Sequence, residues 1–196
     1  MSEFVRSSNL LSCPSSHLLV VDVQEKLISG IDGCDSVVDE IGLLLNAATV
    51  FNVPVTLSEQ YPAGLGATIP AIGQHSAIQH RFEKLRFSAA DDFCCGASAT
   101  ATDDGFQQIV LVGIETHICI LQTAMDFKRN GWDVFVVTNA VGSRRRSDHE
   151  MGLARMSAAG ITIVTTESVL FEWCEVAGTD QFRQVSRLVR SHQSSE

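Results

Sequence analysis

The sequence predicts an α/β domain, with a mostly parallel sheet covered by helices on both faces. Short apolar runs rich in Val, Ile and Leu alternate with longer amphipathic ones from about residue 17 onward. The strand-like runs are apolar at consecutive positions, as expected where both faces of a sheet are covered. No internal repeat and no linker-like change in composition interrupts the pattern. Residues 17–196 therefore read as one domain behind a short polar arm at 1–16, an arm expected to be mobile unless it docks on a partner.

Residues 17–23 (HLLVVDV) form the first expected strand, closed by the acid Asp22. The 35–51 segment places Val37, Val38, Ile41, Leu44, Leu45 and Ala48 at helical spacing. Residues 52–57 (NVPVTL) give a second strand, with Pro54 marking an edge or an early position. Gly, Pro and Ala crowd 61–76, which reads as a long loop with at most a short helix. A third strand is expected at 78–82, followed by a short loop holding Glu83 and Lys84. A helix at 88–102 takes in Cys94 and Cys95 as small apolar residues. The run QQIVLV at 107–112 is a strand closed by Gly113, and a helix at 116–130 is stopped by Asn130 and Gly131. Strands at 133–137 and 161–164 flank a helix at 147–159. Phe182, Val185, Leu188 and Val189 give 179–191 the pattern of a final amphipathic helix.

Bulk properties exclude several function classes. The 196 residues carry a formal net charge of −9, which repels a phosphate backbone or an anionic membrane surface. Nucleic acid and membrane are therefore not expected partners. No apolar run approaches the roughly 20 residues needed to span a bilayer. The first residues, MSEFVRSSNLLSCPSS, lack the pattern of a secretory signal. Six cysteines occur without a CxxC pair, and in a chain of this length they fit a reducing cytoplasm better than a disulfide framework. Gly64, Leu65 and Gly66 make no dinucleotide fingerprint, because no helix-opening GxGxxG follows a strand.

Ligands of open parallel sheets bind outside the carboxyl ends of the strands. Three features stand at or just past such ends: Asp22, Lys84 and the 113–119 segment GIETHIC. With Thr116 as N-cap, Cys119 falls in a first helical turn, where free N–H groups and the helix dipole favour a thiolate. The same N–H groups could hold an oxyanion. The alternative is a buried structural cysteine. Asp22 could take the thiol proton as a general base, or accept backbone hydrogen bonds at a strand-to-loop turn. Lys84 could hold both groups by its charge, or be a solvated surface residue.

These segments resemble a known family. The pieces LLVVDVQ with Asp22, RFEKLRFS with Lys84 and IVLVGIETHICI with Cys119 are similar to the isochorismatase-like cysteine hydrolases. TNAVGSRRRSDHEMGLARMSAAG and TTESVLFEW match as well, and SEQYPAGLGATIP resembles the subgroup of isochorismatase-domain-containing proteins. The resemblance runs in order from about His17 to Arg190. It implies a three-layer, Rossmann-like α/β/α sandwich on a six-stranded parallel sheet. It also implies an Asp–Lys–Cys triad, with Asp22 as base, Lys84 as charge partner and Cys119 as nucleophile. A cis peptide at Ile114–Glu115 is implied too, aiming the amides of Glu115 and Cys119 at the oxyanion.

Two departures from the resemblance matter. True isochorismatases cleave a vinyl ether and can do so without the cysteine, so Cys119 tilts this chain towards acyl chemistry without excluding the other reaction. Nicotinamidases of this superfamily bind a divalent metal through an Asp and His residues after the second strand, where this chain has Ser58-Glu59-Gln60-Tyr61-Pro62. No metal and no cofactor are expected. Gln24, Tyr61 and His117 are expected substrate contacts, His117 alternatively capping the helix start. Arg144, Arg145 and Arg146 read as an anion site or as a solvated or subunit-facing basic cluster. Phe87 and Trp173 read as core or interface. The expected function is hydrolysis of a small-molecule amide through a thioester, by a cytoplasmic homo-oligomer. Alternatives are vinyl-ether hydrolysis, a non-catalytic binding or assembly protein, and a thiol redox protein.

Overall fold

The computed structural model describes residues 6–95 and 107–193. Six strands form one sheet, ordered β3-β2-β1-β4-β5-β6, with every pair parallel. They are β1 (Ser16–Val21), β2 (Val55–Gln60), β3 (His80–Lys84), β4 (Gln108–Ile114), β5 (Asp133–Gly142) and β6 (Thr162–Val164). Side chains alternate across a strand, and the core divides on that rule. Leu18, Val20, Val110, Val112, Phe135 and Val137 face one side, against the helices Cys34–Phe51, Thr166–Cys174 and Asp180–Gln193. Leu19, Val21, Ile109, Leu111, Val134 and Val136 face the other, against Ala90–Cys95, Leu121–Arg129 and Arg146–Ala158. The result is the three-layer α/β/α sandwich expected from the sequence.

Several boundaries differ from expectation, each for a physical reason. β1 stops at Val21 because Asp22 takes a left-handed backbone, φ 57°. β2 runs on through Ser58, Glu59 and Gln60, three polar residues buried within the sheet. Pro54 precedes this strand, and its carbonyl accepts from Leu18 N at 2.9 Å. Lys84 is the last residue of β3, paired with Gln60, and not part of a loop. β5 is twice its expected length, because a register shift between Leu111 and Gly113 lets it rejoin β4 at Val141 and Gly142. The Thr166–Cys174 helix was not anticipated; Thr165 caps it by accepting from Ser168 N. The expected loop at 61–76 contains two single helical turns, Pro62–Leu65 and Pro70–Gly73. Of the helix expected at 88–102, Ala90–Cys95 is observed and 96–102 lies outside the described residues.

The described part of the N-terminal arm packs on its own chain. Arg6 donates to the carbonyls of Leu11 and Glu172 and pairs with Glu175 at 2.7 Å, while Leu11 is fully buried. Trp173 is core, its indole N–H donating to Ser16 Oγ at 3.0 Å. All six cysteines are free thiols. Among the described residues no helix is long and apolar enough to cross a membrane.

The chain leaves β1 for β2 and β3 on one side, then crosses back to place β4 on the other. A crevice opens outside the carboxyl ends of β1 and β4 at such a reversal. Gly113 lets the two strand ends close up there. Its φ is +120°, and a Cβ would lie 2.1 Å from the carbonyl oxygen of Val21. Backbone cannot yield as a side-chain tip can, so Gly113→Ala should lower unfolding stability by at least about 3 kcal/mol, read by urea denaturation.

Candidate active site

Asp22 follows β1, Lys84 ends β3, and Cys119 lies in the turn after β4. The sheet brings all three together, buried. Lys84 Nζ donates to Asp22 Oδ2 at 2.6 Å and to Gln60 Oε1 at 2.7 Å. It also reaches the carbonyls of Phe87 at 3.0 Å and Arg86 at 3.3 Å. The solvated reading of Lys84 is therefore overturned: its side chain is fully enclosed and ringed by acceptors. Ser58 Oγ donates to the other carboxylate oxygen, Oδ1, at 2.8 Å, and the buried Cys119 thiol is near enough to the carboxylate for each to shift the other's ionisation.

Asp22 is set by backbone as well as by partners. A non-glycine residue at positive φ is uncommon, and aspartate tolerates it better than most. Burial pushes its carboxyl above the ordinary range, while Lys84, Ser58 and Cys119 pull the other way. Burial also raises the Cys119 thiol, and the charge of Asp22 raises it further. This corrects the expectation of an easily ionised thiol. Desolvation and a neighbouring carboxylate outweigh the helix terminus, so the thiol rests protonated beside a base.

The turn carrying Cys119 differs from the expected helix start. Thr116–Ile120 is a π-turn leading into the Leu121–Arg129 helix. Thr116 is its first residue and not an N-cap; its hydroxyl sits 3.0 Å from His149 Nδ1. Irregular turns of this kind recur at functional sites. No cis peptide occurs among the described residues, so Ile114–Glu115 is trans. Trans is the ground state of a non-proline bond by about 3 kcal/mol, and Glu115 enters the turn with an extended backbone, φ −72° and ψ 116°. The carbonyl of Glu115 accepts from Ile118 N and Ile120 N, closing the turn.

The other expected contacts separate. Gln24 is fully buried and spent on backbone, donating to the carbonyls of Gln60 and Gly66 and accepting from Gln60 N at 2.7 Å. It fastens the loop to β2. Tyr61 is exposed and left-handed at φ 38°. It lines a cavity of about 530 Å³ beside Lys84, Leu85 and Arg86. Phe87 is exposed, outside the core. His117 is mostly enclosed, with Nδ1 3.0 Å from Ser143 Oγ and 3.5 Å from Glu115 Oε2. The three arginines part company. Arg144 pairs with Glu115 at 2.6 Å, Arg145 precedes the Arg146–Ala158 helix, and Arg146 pairs with Glu150.

Ser58 and Gln60, which hold the carboxylate and the ammonium, were missed in the sequence. Their signal was polarity at the end of a buried strand, where every such group must find a partner. Glu59 is occupied too, accepting from Thr68 N and Thr68 Oγ1 at 2.7 Å and facing Arg81. Among the described residues, no group of three His, Cys, Asp or Glu side chains is placed to hold a metal ion.

The model of the isochorismatase domain matches residues 16–168, which take in β1 through β6 and all three buried groups. The chain belongs to the isochorismatase family. Isochorismatase domain-containing protein 2 of Danio rerio is 35% identical over 179 residues, covering 91% of this chain and 89% of that protein. The structure of a MAR1 ribonuclease from Caenorhabditis elegans superposes with a TM-score of 0.84 at 32% identity, covering 92% of each chain. An octameric hydrolase of unknown specificity from Escherichia coli shares the fold, with a TM-score of 0.80 at 22% identity. The isochorismatase fold here thus carries an Asp–Lys–Cys cluster at its topological switch point.

Proposed function

We propose that this isochorismatase-family protein hydrolyses the C–N bond of a small-molecule amide through a thioester on Cys119. The observation that carries the reading is a buried thiol beside a buried carboxylate, which Lys84 and Ser58 hold in place. Asp22 takes the thiol proton as sulfur attacks the carbonyl carbon. Amides in the first turn after Glu115, that of Cys119 among them, receive the developing oxyanion. The C–N bond then breaks, and the leaving amine takes the proton from Asp22. Water, deprotonated by the same carboxylate, cleaves the thioester to release the acid and restore the thiol. Lys84 keeps Asp22 oriented through its 2.6 Å contact. The scheme needs no cofactor.

The substrate class follows from the enclosure of the site, whose reacting groups Asp22, Lys84 and Cys119 are all buried. A net charge of −9 and a buried nucleophile favour a small, uncharged substrate over a polyanion such as RNA. Exposed apolar side chains at Tyr61, Leu85 and Phe87 suit contact with a second copy, and a homo-oligomer is part of the proposal. Six free thiols favour a cytoplasmic setting. The test is a panel of small primary amides with ammonia detection and peptide mass spectrometry. The expected result is ammonia release for some member of the panel and an acyl adduct on the Cys119 peptide. Turnover of a vinyl ether with no adduct would support the alternative hydrolysis instead.

A further inference from the structure

The nucleophile turn has a second carboxylate that the proposed mechanism does not use. Glu115 is buried, and its Oε1 accepts from Arg144 Nε at 2.6 Å. Its Oε2 is enclosed and has no hydrogen-bond partner; His117 Nδ1 approaches it at 3.5 Å while bonding to Ser143 Oγ at 3.0 Å. A buried charge held by one strong partner depends heavily on that partner. Arg144 lies just past β5, and its stem passes Gly30, where a Cβ would lie 3.6 Å from Arg144 Cγ. One side chain thus bridges the loop after β1, the end of β5 and the turn that bears Cys119.

We propose that Arg144 is a positioning residue for the nucleophile: by neutralising Glu115 it sets both the place of the turn and the charge felt by Cys119. The proposal rests on Cys119 being the reactive thiol, and its local electrostatics can be tested without any substrate. The charged groups facing Cys119 are Asp22, Lys84 and Glu115, and the negative charge of Glu115 raises the thiol. Around Glu115 stand Arg144 and His117, and His117 Nε2 lies 4.0 Å from Asp148 Oδ2. His149 touches the turn through Thr116. Arg146 is committed to Glu150 with Asp32 nearby, so it offers no ready substitute for Arg144.

The test measures the rate of Cys119 alkylation by iodoacetamide against pH, resolved by peptide mass spectrometry. Arg144 is mostly exposed, so Arg144→Ala should fold. Its Cys119 profile should move about 0.5–1 pH unit upward, because Glu115 loses its cation. Glu115→Gln should move the profile downward, and adding Arg144→Ala to it should shift the profile less than the same change does in wild type, because no carboxylate remains for Arg144 to hold in place. Arg144→Lys should restore part of the wild-type profile. A profile in Arg144→Ala that superimposes on wild type, or an equal shift in the Glu115→Gln background, would overturn the proposal. Failure of the amidase reading looks different: the profiles would still respond to Arg144, while turnover would be indifferent to Cys119.

Discussion

Cys119→Ala should abolish amide turnover, lowering kcat by on the order of 10⁴-fold or more while leaving the fold intact. The thiol is buried in the second core cluster, and alanine removes one atom without stranding a polar partner. Ser58 and Lys84 still satisfy the Asp22 carboxylate. The loss of stability should be about 1 kcal/mol, a few degrees in Tm by calorimetry. A variant that kept the wild-type melting profile and full amide turnover would end the covalent reading. A variant that lost amide turnover yet still cleaved a vinyl ether would show two chemistries in one site, only one of them requiring sulfur.

Asp22→Asn separates base catalysis from thiol reactivity, because the two should move in opposite directions. Removing the base should cost about 10²–10⁴ in kcat, the usual worth of general acid–base catalysis. The charge of Asp22 also raises the Cys119 thiol, so its removal should shift Cys119 alkylation to lower pH. A more easily ionised but catalytically poor cysteine is the expected signature. In wild type the pH dependence follows from the direction of the Asp22 shift. Burial lifts its carboxyl above the ordinary range, the active form is the carboxylate, and activity is therefore lost as pH falls through that raised value. The acid limb of kcat/KM should lie above the usual carboxylate range and disappear in Asp22→Asn. An acid limb at an ordinary carboxylate pH, unchanged by the substitution, would assign the base elsewhere.

The same residues show why some of the site was legible and some was not. Asp22 closing an apolar strand, and Cys119 just past Gly113, stand out in sequence because a parallel sheet gathers its strand ends on one edge. Lys84 was harder to read, since RFEKLR looks like a solvated charge cluster, and only its ring of acceptors explains its burial. Ser58 and Gln60 carried only the weak signal of polarity after a buried strand, which is equally common in loops. Arg144 looked like one of three equivalent arginines until each was seen with its own partner.

The sequence by itself determined the α/β class, the positions of most strands and helices, and the family resemblance that names the triad. Those are properties of local pattern: short continuous apolar runs, period-3.6 amphipathic ones, and ordered motifs at fixed places. Tertiary structure alone decided the strand order, the burial of Lys84, the trans bond at Ile114–Glu115 and the π-turn under Cys119. It also reversed the expected ionisation of that cysteine. A thiol's charge depends on what surrounds it within a few ångströms, and here desolvation and Asp22 come from segments the chain brings together only by folding.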